Sequence, residues 1–199
     1  MPRTEKQWEE IRENRKAHIM ETALELFANE GYYPTPISKI AKKAGISKGL
    51  MYNYFTSKEQ LIREIIDKGL QDLLATFDPD KDGVLTELEF EYMINAIFGI
   101  LQENIRYWKL YFSLIMQASV HQLVHEGFAK LVPRLLQTQV HYFEKKGVPD
   151  PKSEAIFFAA ALDGIAFNFI IDPDHFPVEK IKQLIIERFS YINREDYEN

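Results

Sequence analysis

The sequence contains no cysteine, and this absence excludes disulfide bonds, thiolate metal sites and thiol catalysis. No run approaches the roughly 18 uncharged apolar residues that a membrane-spanning helix needs. The N-terminal segment MPRTEKQWEEIRENRK is too highly charged to form a secretory signal. Sustained strand-like alternation of apolar and polar residues is missing as well. These absences predict a cytoplasmic protein without a membrane segment.

The residues that are present favour a folded protein with an uneven charge distribution. Apolar residues make up 46% of the 199 residues and aromatic residues 13%, enough to bury a core and to enclose an apolar cavity. Residues 1–58 contain ten Lys and Arg against seven Asp and Glu, whereas residues 59–199 contain fourteen against twenty-three. A weakly basic N-terminal region on an acidic remainder permits binding to nucleic-acid phosphates.

Apolar residues recur at three- and four-residue spacing along almost the whole chain, which predicts an all-α fold. Thr35 is expected to cap the second helix with Pro36 in its first turn, and Ser47 the third. Ser57 and Gln60 have the spacing of a capping box at the start of the fourth helix. Two domains are predicted, over residues 1–58 and 59–199. Helices are expected at about 8–30, 36–44, 48–54, 58–77, 87–103, 105–119, 121–146, 152–171 and 177–192.

Residues 35–58 have the pattern of a helix-turn-helix, in which two short helices cross at a tight turn. Ile40, Ala41 and Met51 are expected to face a small core, and Gly45 supplies the turn. The outward positions carry hydroxyls, amides and cations, which are the groups that bind phosphates and base edges. These outward residues are Ser38, Lys39, Lys42, Lys43, Ser47, Lys48, Asn53 and Tyr54.

Residues 16–66 resemble the DNA-binding domain of the tetracycline-repressor (TetR) family. The matching pieces are A-LELF-NEGY in the first helix, T-x5-A-x-x-AG-SKG in the next two, and Y-x-YF-SKE-L after them. The resemblance implies an N-terminal helix-turn-helix domain, followed by a helical domain that binds an effector and dimerises. It implies a transcriptional regulator, expected to be a repressor, that reads a palindromic operator and needs no cofactor.

The resemblance also implies roles for individual residues. Phosphate contacts are expected from Thr35, Tyr52 and Lys58, while Ser38, Lys39, Lys48, Gly49 and Tyr54 are expected near bases or the groove wall. Leu50 stands where the family usually has Thr, so this position either touches a thymine methyl or packs internally.

The C-terminal part fits the helix order of the same family. The segment AIFFAAALDGIAFNFII is apolar nearly all round, so a partner is needed to cover it, and Leu184, Ile185, Phe189 and Ile192 extend that surface. We therefore expect a homodimer through the last two helices. An apolar effector is expected against Phe98, Trp108, Tyr111, Phe112, Met116, Phe128 and Tyr142, although an aromatic stripe at helical spacing also suits a plain core.

Nothing in the sequence supports an enzyme, since a phosphate-binding glycine loop, a nucleophile elbow and a paired-carboxylate site are all missing. His121 and His125 are four residues apart, but a third zinc ligand in register with them is missing.

The segment DPDKDGVLTELE, residues 78–89, matches the calcium loop of an EF-hand. Its predicted calcium ligands are Asp78, Asp80, Asp82, the carbonyl of Val84, Thr86 and Glu89. The plain alternative is a polar turn between two helices. A calcium-responsive regulator or interaction protein is therefore the second functional hypothesis beside the DNA-binding regulator.

Overall fold

The computed structural model describes residues 4–76 and 82–190, and for Leu73, Leu74, Lys130 and Leu131 only the backbone. Over these ranges the chain forms α-helices and one short 3-10 helix, without a β-strand, which confirms the predicted all-α class. The helices are α1 (Glu5–Glu30), α2 (Ile37–Lys43), α3 (Lys48–Tyr54), α4 (Lys58–Leu74), α5 (Glu87–Glu103), α6 (Ile105–Ile115), α7 (His121–Lys145), α8 (Pro151–Ile171) and α9 (Val178–Ser190), with the 3-10 helix (Ala118–Val120) before α7.

The described residues divide into two compact units. The first, called the head, comprises the residues up to Gly69 and the segment Leu110–Gly127. The second, called the body, comprises Leu70–Lys109 and the residues from Phe128 onward. The division by packing therefore falls inside α4, α6 and α7. The functional boundary at residues 58 and 59 stays a prediction.

The head is built on the buried face of α1, against which α2 packs, with α3 in turn against α2. The predicted apolar face of α1 is buried, as are Ile40, Ala41 and Met51 of the helix-turn-helix. Gly45 has a φ of +68°, a conformation that L side chains rarely adopt, and so allows the tight turn between α2 and α3. The buried residues of α1 are Ile19, Thr22, Ala23, Leu24, Leu26 and Phe27.

Segment 110–127 is part of the head because Tyr111 of α6 packs closely on α4. Its hydroxyl donates a hydrogen bond to the Ile66 carbonyl at 2.9 Å. A Cβ added at Gly69 would lie 2.2 Å from the Tyr111 ring, so only glycine allows this approach of the two helices. Arg63 of α4 adds a 2.5 Å ion pair with Glu126 of α7.

Two predicted helix caps in the head differ from the structure. Thr35 does not cap α2: its hydroxyl donates to the Gly31 carbonyl at 2.8 Å, and Pro36 occupies the N-cap position without a side-chain bond. This is the local competition between side-chain and helix hydrogen bonds that threonine allows. Ser57 does cap α4 by accepting from the Gln60 N–H, but the Gln60 side chain accepts from the Thr56 N–H instead of Ser57.

The core of the body is a cluster of aromatic rings. Phe90 of α5 stacks on Tyr142 of α7 with their centroids 4.9 Å apart, and Phe158 of α8 contacts both Phe90 and Phe189 of α9. The Tyr142 hydroxyl donates a hydrogen bond to the Phe189 carbonyl. Burial of the Tyr142 side chain in this cluster raises its pKa to about 12. The same cluster joins α5, α7, α8 and α9 through buried apolar area.

Helix α8 buries one side in this core and exposes the other. Its exposed side contains apolar residues at helical spacing and one carboxylate, Asp163. By length and composition alone, α8 is the one helix in the described ranges that could cross a membrane. A core helix passes the same test, so this observation is weak support for a membrane protein. The exposed apolar residues are Ile156, Phe157, Phe167 and Ile171.

The predicted extension of this surface onto α9 is only partly right. Leu184 is exposed, whereas Ile185 and Phe189 are buried within the body, where Phe189 contacts Phe143 and Phe158. Ile192 lies outside the described residues.

Candidate nucleic-acid interface

The second helix of the helix-turn-helix, α3, is short and is fixed at both ends. Ser47 accepts a hydrogen bond from the Leu50 N–H at 3.1 Å, as predicted for its cap. Met51 and Phe55 are fully buried and anchor the helix from below. The opposite side of α3 therefore faces outward, with Lys48, Gly49 and Asn53 exposed.

A groove lies between the start of α2, the exposed side of α3 and the start of α4. It has a volume of about 390 Å³. We call it the head groove, and its lining contains two ammonium groups, three aliphatic hydroxyls and one phenol. Such donors, together with the free N–H groups of a helix start, suit an anionic oxygen. The lining residues are Pro36, Ile37, Ser38, Lys48, Tyr52, Thr56, Ser57 and Lys58.

Lys58 holds the turn between α1 and α2 as well as lining the head groove. Its ammonium donates to the carbonyls of Tyr32, Tyr33 and Thr35 at 2.9, 3.2 and 3.2 Å. It also lies 4.4 Å from the centroid of the Tyr32 ring, a cation–π distance. Desolvation lowers the pKa of Lys58. Because these carbonyls carry no formal charge, they leave the positive charge of Lys58 in place beside the groove.

Thr35 is the predicted contact residue that the structure turns inward. Its side chain is fully buried, and its hydroxyl donates a hydrogen bond to the Gly31 carbonyl. In this conformation only the main chain of Thr35 lies near Lys58, because the Thr35 carbonyl accepts a hydrogen bond from the Lys58 ammonium. A phosphate contact from the Thr35 hydroxyl stays a prediction that this conformation does not favour.

Two of the lysines on α2 are paired with acids of α1. Lys39 forms an ion pair with Glu30, and Lys43 one with Glu25 at 3.0 Å. Lys39 remains about half exposed, so it can also face a phosphate. These pairs reduce the positive charge of α2 and leave Lys48 of α3 as an exposed cation at the groove.

Three further predicted contact residues are exposed or partly exposed. Ser38 and Tyr52 line the groove and are exposed, and Tyr54 is partly exposed. Leu50 is half-buried, which favours neither of its two suggested roles. The sequence-based prediction missed Pro36, Ile37, Thr56 and Ser57 as lining residues. The cap at Ser57 was a readable signal, because a helix start is an anion-binding feature.

The predicted effector residues are divided between the two units. Tyr111, Phe112 and Met116 belong to the head, where Tyr111 is buried against Gly69 and Met116 is 71% exposed. The other four belong to the body. Among them, Phe98 contacts Phe169, and the Trp108 indole donates to the Ile100 carbonyl at 3.0 Å. Contact with an effector stays a prediction for all seven, which also include Phe128 and Tyr142.

The predicted calcium loop is described only from Asp82 onward, since Asp78 and Asp80 lie outside the described residues. There Asp82 accepts a hydrogen bond from the Val84 N–H at 2.7 Å. Glu89 accepts from the N–H and hydroxyl of Thr86, which caps α5. Residues 4–76 and 82–190 contain no group of three or more His, Asp or Glu side chains that could hold a metal ion. Calcium binding is therefore without structural support and stays a prediction.

Comparison with known proteins identifies relatives for both halves of the chain. The family described as "Bacterial regulatory proteins, tetR family" matches residues 19–65. Over 194 residues the chain is 28% identical to the HTH-type transcriptional regulator AcrR of Shigella flexneri, covering 86% of this chain and 85% of the relative. It is 26% identical over 182 residues to the regulator YfiR of Bacillus subtilis, covering 80% and 82%.

Solved structures share the fold over nearly the whole chain. The fatty acid degradation regulator FadR of Bacillus halodurans has a TM-score of 0.71 at 17% identity, covering 90% of this chain and 96% of that one. FadR of Bacillus subtilis, solved with stearoyl-CoA, has a TM-score of 0.66 at 19% identity, covering 88% and 95%. A complex of SmeT with triclosan also has a TM-score of 0.66, at 17% identity, covering 88% and 90%.

Proposed function

We propose that the chain is a transcriptional regulator of the TetR type, the family that matches residues 19–65, and that it binds a palindromic operator through the head groove and α3. The observation that supports this proposal is the head groove, in which Lys48, Tyr52 and Lys58 lie around the start of α4. This lining suits a DNA phosphate, and the exposed side of α3 next to it carries Gly49 and Asn53 toward base edges. Because this role requires access to DNA, we also propose a cytoplasmic location.

We propose a homodimer through α8 and α9. The exposed side of α8 carries Ile156, Phe157, Phe167 and Ile171, and Leu184 of α9 is also exposed. These side chains form an apolar surface that a second copy can cover. Two copies supply two α3 helices, as a palindromic operator requires, and an isologous interface relates them by twofold symmetry.

The effector is proposed to be an apolar small molecule that binds in the body and releases the operator, so the protein acts as a repressor. The body supplies the apolar and aromatic side chains that such a ligand needs. Similar structures hold chemically different small molecules, namely stearoyl-CoA, triclosan and choline. Because these ligands differ in chemistry, they do not indicate a single effector for this chain. The same three compounds serve as the first probes, and the shift of the melting temperature on adding each of them is measured.

The operator function is tested by selecting duplexes from a random pool and measuring the affinity of the selected duplex over a range of salt concentrations. We expect a palindromic motif to be enriched. We also expect affinity to fall by a factor of about ten or more between roughly 50 and 200 mM salt, because lysine contacts release counterions from DNA. A scrambled duplex of the same composition is the control. Failure to enrich any motif, together with salt-independent affinity, would overturn the proposal.

A further inference from the structure

Gln117 joins two parts of the head that are far apart in sequence. It lies just after α6, and its side-chain amide reaches the end of α1. Its Nε2 donates to the Phe27 carbonyl at 2.8 Å, and its Oε1 accepts from the Tyr32 N–H at 3.3 Å. Both partners are main-chain atoms on either side of Gly31, the residue that ends α1 with a φ of +93°. One amide thus bridges the last turn of α1 and the first residues of the α1–α2 turn.

The orientation of this amide is determined by its neighbours. The Tyr32 N–H can only donate and the Phe27 carbonyl can only accept, which identifies the oxygen and nitrogen sides of the amide. The Ser119 hydroxyl also donates to the same Oε1 at 3.4 Å. The main chain of Gln117 is itself held, because its N–H donates to the Leu114 carbonyl at the end of α6. The main chain of Gln117 is therefore fixed at the end of α6, and only side-chain conformational entropy is lost when the amide binds the α1–α2 turn.

The turn that Gln117 holds is the same one that Lys58 holds. Lys58 binds the carbonyls of Tyr32, Tyr33 and Thr35, whereas Gln117 binds the N–H of Tyr32. Tyr32 is buried, and its ring contacts both Phe27 and the Lys58 ammonium. A shift of this turn would therefore move the Lys58 ammonium, which lines the head groove, and the start of α2, which forms the groove wall.

We propose that Gln117 is a positioning residue for DNA binding: its amide fixes the α1–α2 turn and, through Lys58, the shape of the head groove. The inference rests on the proposed operator function, since it assigns a residue outside the helix-turn-helix to the binding of the same phosphate. Gln117 does not itself line the groove. Its effect on DNA is indirect and depends on the turn.

The test replaces Gln117 by methionine, which keeps the length of the side chain and removes both hydrogen bonds. Because these two hydrogen bonds no longer fix the α1–α2 turn, we expect binding to the selected duplex to weaken about tenfold. Backbone hydrogen exchange should become faster at residues 31–36, and at Tyr32 above all. A merely structural role would lower the melting temperature without changing the affinity of a head that remains folded at the assay temperature.

The matched control is Gln122→Met in α7. Gln122 is exposed and donates to Glu126 within its own helix, so its loss should change neither affinity nor exchange at residues 31–36. Gln117→Glu keeps the acceptor for the Tyr32 N–H and loses the donor to Phe27. In Gln117→Glu the Tyr32 amide should therefore be protected from hydrogen exchange as in the wild-type protein. This comparison does not need the methionine variant, so it can be made even if Gln117→Met does not fold.

The outcomes separate this inference from the operator function. If the wild-type protein binds the selected duplex and Gln117→Met binds it within a factor of two, the inference is wrong while the operator function stands. Equal weakening by Gln122→Met, or unchanged exchange at Tyr32, would also overturn it. If the wild-type protein binds no duplex at any salt concentration, the operator function fails first and the inference falls with it.

Discussion

Two exposed surfaces of this molecule are built in opposite ways. The head groove is lined by Lys48, Lys58, hydroxyls and the start of a helix, whereas the exposed side of α8 carries apolar side chains around the single carboxylate of Asp163. Fixed positive charge attracts a polyanion at long range and is weakened by salt, while apolar area favours contact that excludes water and is little affected by salt. The same chain thus presents one surface suited to DNA and another suited to a second copy.

The largest expected effect comes from placing charge on the apolar surface. Ile156→Glu combined with Phe167→Glu should convert the dimer into a monomer of 23.3 kDa, because two carboxylates per copy would have to be desolvated in the interface. Affinity for the palindromic duplex should fall by a factor of about 100 or more, since a monomer reads only one half-site. Sedimentation velocity and duplex binding measure the two effects.

The control for this variant is Leu88→Glu, which places the same charge at an apolar side chain of α5 that is 82% exposed. It should leave mass and affinity unchanged. If the double variant of α8 also remains a dimer, the assignment of this surface to a second copy is wrong.

The next effect comes from removing charge at the head groove. Lys48→Ala should weaken duplex binding about five- to tenfold and reduce the slope of log affinity against log salt by about one, because one phosphate contact is lost. Lys180→Ala in α9 removes an exposed lysine from the body and should change neither quantity. An unchanged salt slope in Lys48→Ala would show that this lysine does not neutralise a phosphate.

The two surfaces also differ in how far the sequence predicts them. In the helix-turn-helix, the apolar spacing of Ile40, Ala41 and Met51 and the cap at Ser47 are properties of neighbouring residues, and the structure confirms them. The three carbonyl partners of Lys58 are more than twenty residues away, and no local pattern indicates them. The resemblance suggested a phosphate contact for Lys58 but not its part in holding the α1–α2 turn.

In the body the sequence identifies apolar residues but not the neighbours that cover them. Ile185 and Phe189 were predicted to face a partner, yet their own chain buries them, because α5 packs on α9 and the Phe143 and Phe158 rings reach Phe189. The sequence shows that these apolar side chains favour burial, but the tertiary fold determines which element covers them. The same reasoning explains why an aromatic stripe did not by itself define an effector site.

A smaller effect should come from the acids that pair with α2. Glu30→Gln removes the carboxylate that holds Lys39, so affinity for any duplex should rise about threefold, consistent with the low value of an exposed ion pair. Because phosphates are read without regard to sequence, selected and scrambled duplexes should gain equally. Glu21→Gln, on the same helix and also exposed, controls for the change in net charge. An equal gain in that control would mean that Lys39 is not specifically released.

The smallest effect concerns the one carboxylate of the apolar surface. Desolvation raises the pKa of Asp163 in the folded chain above its ordinary value of 3.8, and covering it with a second copy should raise the pKa further. The dimer then binds the proton more tightly than the monomer does, so dimerisation should strengthen as the pH falls through the raised pKa and weaken as the pH rises above it.

Sedimentation equilibrium over a pH series that starts at the ordinary carboxyl value of 3.8 and rises to neutrality measures this dependence. Asp163→Asn has no proton to bind and should dimerise with nearly the same constant throughout, about as tightly as the wild-type protein at the acidic end. Glu154→Gln, in the first turn of the same helix, should keep the wild-type pH dependence. A wild-type dimer that weakens on acidification would instead mean that the Asp163 carboxylate is paired with a cation of the second copy, and that the α8 surface is less purely apolar than its monomer shows.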